Sequence, residues 1–144
     1  MADSFHLEFQ VRDYELDQYG VVNNAVYLNY LEHTRHEFLI AIGIDAAQVA
    51  REGRSLALHR IEVTFHRPLR SRERFRISAR VAELRGARVV LSQSIVLIPS
   101  EVPVLEAVAT AVFLDQHGRP LRVTPEIRRA FSSCPASGRW ARFR

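Results

Sequence analysis

The order of hydrophobic periods constrains this chain more than any other feature of it. Residues 5–13 alternate, with Phe5, Leu7, Phe9 and Val11 on one side, as in a half-buried strand. Ala25 to Ile42 then changes period. Tyr27, Leu28, Leu31, Phe38, Leu39 and Ile42 recur at helical spacings, and Gly43 supplies a C-terminal stop. After a short helical stretch within Asp45–Gly53, the chain becomes strand-like. Ile61, Val63 and Phe65 alternate, but Leu56 and Leu58 have the other parity, so a bulge is predicted near His59–Arg60. Pro68 ends that strand. Phe75, Ile77, Ala79 and Val81 form the next, and Arg85-Gly86-Ala87 reads as a hairpin turn. Val89–Ile98 is apolar on both faces, as a central strand is. Val104–Leu114 carries a row of small side chains, Ala107, Ala109 and Ala111, which lets a helix approach closely. A terminal helix is predicted over Thr124–Phe131. Strand, long helix and four strands on short turns exclude the alternation that a doubly wound parallel sheet requires. The expected class is α+β: one antiparallel sheet of about five strands covering its apolar face with one long helix.

The 144 residues suit one domain, 1–144, with a core over roughly 5–131 and a frayed C-terminal tail. No apolar run reaches the roughly 20 residues that span a bilayer, and MADSFHLEF lacks a signal-peptide pattern. A soluble, cytoplasmic protein is therefore expected. Cys134 is the sole cysteine, which excludes an intrachain disulfide, and it sits in a Ser/Pro/Gly-rich tail that suits a surface thiol. All basic residues are arginine, so lysine Schiff-base chemistry is excluded. The net charge of +4 favours acidic or phosphate-bearing partners, but the arginines are dispersed and no RNA-binding strand signature is present, so nucleic acid is not the expected partner.

The chemistry concentrates in Leu16–Tyr30, LDQYGVVNNAVYLNY, where a carboxylate, a glycine and two asparagines precede the long helix. Asn23 or Asn24 can cap the helix start. The backbone N–H groups at that start carry partial positive charge and point outward. Gly20 is expected to allow a tight turn that a side chain would obstruct. Glu32/His36 and His33/Glu37 are each four apart on the helix, which fits exposed ion pairs better than a metal site. His59 and His66 have opposite parity on one regular strand. Ser92 and Ser94 lack a nucleophile elbow, and no phosphate loop or dinucleotide fingerprint occurs.

The pattern Asp17-Gln18-Tyr19-Gly20-Val21-Val22, followed by Asn29-Tyr30, resembles the hotdog-fold acyl thioesterases, in particular the 4-hydroxybenzoyl-CoA thioesterase branch. VRDYELDQYGVVNNAVY is also similar to plant and cyanobacterial members that act on dihydroxynaphthoyl-CoA or acyl-carrier-protein thioesters. The resemblance covers roughly residues 5–130 by element order, and its specific motif lies within 11–35. It implies a hotdog fold and hydrolysis of an acyl thioester on coenzyme A or acyl carrier protein, with no metal and no redox cofactor. Asp17 is then the nucleophile or general base, the Asn24 N–H the oxyanion donor, and Asn23 or Asn24 a holder of water or thioester oxygen. Glu32 or Glu37 is the reserve acid.

Tyr19, Tyr27 and Tyr30 become candidate pocket residues, although core packing explains Tyr27 and Tyr30 as simply. Arg67, Arg70 and Arg88 become candidate phosphate contacts at the carrier entrance. One helix over five strands also leaves apolar surface or a sheet edge to be covered, which predicts a homodimer or homotetramer. Rival readings are a non-catalytic acyl-thioester binder and a hotdog hydratase or dehydratase. No D-x-N-P-x-H pattern supports the hydratase.

Overall fold

The computed structural model describes residues 4–133, so Cys134 and the tail lie outside the described residues. Strand β1 spans Phe5–Gln10 and is followed by a 3₁₀ turn, Asp13–Glu15. Helix α1 covers Asn24–Ala41 and α2 covers Ala46–Arg51. Strands β2 (Ser55–Phe65), β3 (Arg74–Arg85), β4 (Arg88–Leu97) and β5 (Pro103–Leu114) follow, and α3 (Pro125–Ser132) comes last. The five strands form one antiparallel sheet in the order β1-β3-β4-β5-β2. The expected α+β hotdog arrangement is thus present, with β4 at its centre; β4 buries one face and carries Ser92 and Ser94 on the other, so it is not apolar on both faces as expected.

The register shows how alternation becomes a core. Phe5, Leu7 and Phe9 of β1 lie opposite Ala79, Ile77 and Phe75 of β3, all of them buried. On β2 the register shifts between Leu58 and Arg60, which leaves His59 as the extra residue of the predicted bulge. The shift reconciles the two parities: Leu56 and Leu58 pair with Phe113 and Ala111, and Ile61 and Val63 pair with Ala109 and Ala107. One face of the sheet therefore stays apolar along the whole strand.

Helix α1 crosses that face. Its buried side is Tyr27, Tyr30, Leu31, Thr34, Phe38 and Leu39. Leu28 departs from the sequence expectation: it is 42% exposed, because the helix turns it toward solvent between the buried positions. The aromatic core has two clusters. Under the helix N-terminus, Phe75 stacks with Phe9 at 5.5 Å and meets the tilted ring of Tyr30 at 4.9 Å. Toward the other end, Phe5 meets Phe38 at 5.8 Å, and α3 places Phe131 at 6.4 Å from both Phe38 and Phe113. Thr124 begins α3 by accepting the Ile127 N–H.

Gln93 is a polar residue buried within the apolar face of β4, between Ala79 on β3 and Ala107 on β5. The two alanines make room for it. Its Nε2 donates to the Leu31 carbonyl of α1 at 3.1 Å, and its Oε1 accepts from the Arg35 guanidinium at 2.9 Å.

Candidate active site

The Leu16–Asn24 segment folds as a hairpin leading directly into α1. Leu16 bridges Val22, and the Asp17 N–H donates to the Val21 carbonyl at 2.7 Å. The Gly20 N–H returns to the Asp17 carbonyl at 3.1 Å, closing a turn over Asp17–Gly20. Aspartate at the first position and glycine at the fourth suit such a turn. Gly20 has φ +77°, where L side chains are strained. The reason differs from the one predicted: a Cβ there meets nothing within 4 Å, so the conformation, not obstruction, calls for glycine. The hairpin is tied to the body of the protein by the Val21–Arg70 bridge and by the Val22 N–H on the Leu69 carbonyl at 2.8 Å.

Asp17 is half-buried. Its Oδ1 accepts the Tyr19 N–H at 2.8 Å and the Val21 N–H at 3.4 Å, while no bond to Oδ2 is made among the described residues. One oxygen thus aims the carboxylate, and the other stays open. The two asparagines divide the remaining work. Asn23 is the cap, with Oδ1 accepting the Ala25 N–H at 2.9 Å, while its own N–H is held by the Glu15 carbonyl at 3.0 Å. Asn24 is the first helical residue, and its N–H meets no acceptor among the described residues. It is an orphan donor of the kind every helix start leaves.

The tyrosines separate. Tyr19 stands 79% exposed at the tip of the hairpin. Tyr27 is buried, and its hydroxyl accepts the Leu69 N–H at 2.9 Å, which links α1 to the segment that anchors the hairpin. Burial pushes its phenol above the ordinary range. Tyr30 is also buried, and its hydroxyl has no partner in hydrogen-bonding geometry. Burial first, and the neighbouring Glu15 second, push its phenol up as well. Tyr30 and Glu15 line a cavity of about 350 Å³ together with Asn29 and His33.

Glu15 was not singled out from sequence. It is a buried acid whose Oε1 accepts the Arg12 N–H at 2.8 Å, so it closes the 3₁₀ turn that launches the hairpin. The E-x-D spacing is visible in the sequence, but which of the two acids is buried is not. Glu32 and Glu37 lie on the outer part of α1, facing His36 at 3.9 Å and His33 at 4.0 Å.

The three candidate arginines do not gather at one place. Arg67 is engaged, its guanidinium forking onto Glu73 at 3.0 and 2.9 Å and donating to the Pro68 carbonyl at 2.9 Å. Glu73 also takes the Arg70 N–H at 2.7 Å. Burial opposes ionisation of Glu73, but these bonds and the two arginine charges outweigh it and hold the carboxyl below its usual value. Arg70 projects exposed beside the hairpin. Arg88 begins β4 at the far end of the 12-residue strand β3, roughly 35 Å of extended backbone from Arg70. Arg67→Ala is therefore expected to lower stability by about 1 kcal/mol, the upper part of the range for partly exposed pairs, with KM unchanged. Arg70→Ala is expected to raise KM with little change in melting temperature. Denaturation curves and steady-state kinetics on the two variants check the split.

The chain belongs to the thioesterase-like superfamily, whose family model matches residues 11–131. The thioesterase resemblance borne by residues 11–35 is confirmed at that level. Among relatives, the chain is 47% identical over 131 residues to the chloroplastic acyl-acyl carrier protein thioesterase ATL3 of Arabidopsis thaliana, covering 91% of this chain and 69% of that one. It is 32% identical to the long-chain acyl-CoA thioesterase FadM of Escherichia coli, over 75% of this chain and 81% of that one. The crystal structure of Slr0204, a 1,4-dihydroxy-2-naphthoyl-CoA thioesterase from Synechocystis, superimposes with a TM-score of 0.84 at 16% identity. That alignment covers 90% of this chain and 96% of the other, and it shows the shared fold.

Proposed function

We propose that this protein hydrolyses an acyl thioester to free acid and thiol at the junction between the hairpin and α1. The observation that carries the reading is that one short hairpin ends in two open groups, the unengaged Oδ2 of Asp17 and the unbonded N–H of Asn24, on a segment held by the Leu16–Val22 bridge. The carboxylate either attacks the thioester carbon or takes a proton from attacking water. In both routes the carbonyl oxygen gains negative charge, and a fixed amide donor at a helix start stabilises it without reorganising. Collapse of the intermediate expels the thiolate, which takes up a proton; where the carboxylate itself has attacked, water then hydrolyses the mixed anhydride on Asp17 to the free acid and restores the carboxylate. The relatives' names support either carrier protein or coenzyme A as the thiol. The test is a thiol-release screen over aromatic and aliphatic acyl thioesters on both carriers. Thiol release that depends on Asp17 supports the reading; binding without release on every member of the panel contradicts it.

The working unit is a homo-oligomer, with a second copy covering β2. This strand is an edge of the sheet, and its inner-face residues Leu58 and Phe65 remain 49% and 51% exposed. Phe65 also packs on Tyr27 at 5.3 Å, so this edge adjoins the helix start. A dimer or tetramer is expected in sedimentation at micromolar concentration. A species near 16.5 kDa would contradict it.

A further inference from the structure

A second cavity, of about 290 Å³, lies between α1, α2 and the sheet. Its walls are largely apolar, with Leu39, Ile44, Val49, Leu56, Leu91 and Phe113 among them, and no residue of the 17–24 hairpin lines it. Arg35 does. Its guanidinium is half-buried, and its hydrogen bond is to a neutral amide oxygen, Gln93 Oε1 at 2.9 Å. No carboxylate forms an ion pair with Arg35 among the described residues. The other charged groups at the cavity are already engaged: Glu32 faces His36, and Arg54 is paired with Glu52. Burial lowers the Arg35 pKa, and the more distant Glu32 charge offsets only part of that.

A guanidinium taken from water without an anion is costly, and a carboxylate is the group its fork fits best. We propose that this cavity binds a carboxylic acid carried on an apolar tail, with the carboxylate on Arg35 and the tail among the aliphatic and aromatic walls. Gln93 makes the site a built one. It is itself fixed between Ala79, Ala107 and the Leu31 carbonyl, so it holds the guanidinium in one place before any ligand arrives. The ligand class matches the acid released by the proposed reaction. The site nonetheless stands apart from that reaction, because equilibrium binding needs no turnover.

The test is calorimetry with decanoate and decan-1-ol on the intact protein. Decanoate is expected to bind at least about tenfold more tightly than the alcohol, since the alcohol offers no charge. Arg35→Met is expected to remove that preference, and Arg35→Lys to restore part of it. Val49→Phe, which fills the cavity and leaves the charge alone, is expected to weaken acid and alcohol alike. It keeps the test decisive should Arg35→Met fail to fold. Asp17→Asn is expected to bind decanoate as the parent does. Equal affinity for acid and alcohol, or affinity lost in Asp17→Asn but kept in Val49→Phe, would overturn the assignment. So would an Arg35→Met protein that loses self-association while keeping its preference for the acid, since a second copy would then be answering the guanidinium.

Discussion

Asp17→Asn is expected to lower thioester turnover by about 10²–10⁴, the usual loss when a catalytic acid or base is removed. The substitution isolates the chemical role. Asparagine keeps an Oδ1 that can accept the Tyr19 and Val21 N–H groups, so the turn that Asp17 organises survives. What is lost is the charge and basicity of the second oxygen. Single-turnover kinetics beside a melting curve separate the outcomes. If Asp17 serves only the turn, turnover stays near the parent value at an unchanged melting temperature. Attention would then pass to Glu32 and Glu37, which face the outer side of α1.

The largest effect on stability is expected from Phe75→Ala, about 3–5 kcal/mol. Phe75 is fully buried, stacks on Phe9 and packs against the tilted ring of Tyr30, so it joins β1, β3 and the first turns of α1. Removing the ring leaves a cavity beneath the helix start and loosens the platform under Asn24. Equilibrium denaturation measures the loss. A change under about 1 kcal/mol would mean that the cluster collapses into the space and that the aromatic contacts do not set the helix position.

Periodicity showed the elements and their order because both depend on residues close in sequence. The bulge at His59 was legible for the same reason: a parity change within one strand has no other regular solution. The division of labour between Asn23 and Asn24 was not, since either can cap and only the backbone path decides. Arg67 looked available for phosphate because Glu73, which occupies it, lies across a turn that sequence alone does not close. Tyr27 and Leu69 are far apart in the chain, so their bond is a tertiary fact. Gln93 did carry a signal, a lone amide on an apolar strand, but its two partners on α1 could not be read from it.

That amide settles a mechanical question. A helix resting on a smooth apolar sheet can creep along its axis or roll about it at little cost, since one greasy contact replaces another. Gln93 works as a locating pin. Advancing α1 by one residue would shift it about 1.5 Å and turn it about 100°, carrying the Leu31 carbonyl out of reach of the amide. The creeping helix would then leave a buried donor unmet, at about 1–3 kcal/mol. The continuum of sliding positions becomes a single seat. The height at which the Asn24 N–H meets the hairpin is therefore gauged from the middle of the sheet, far from the groups whose alignment depends on it.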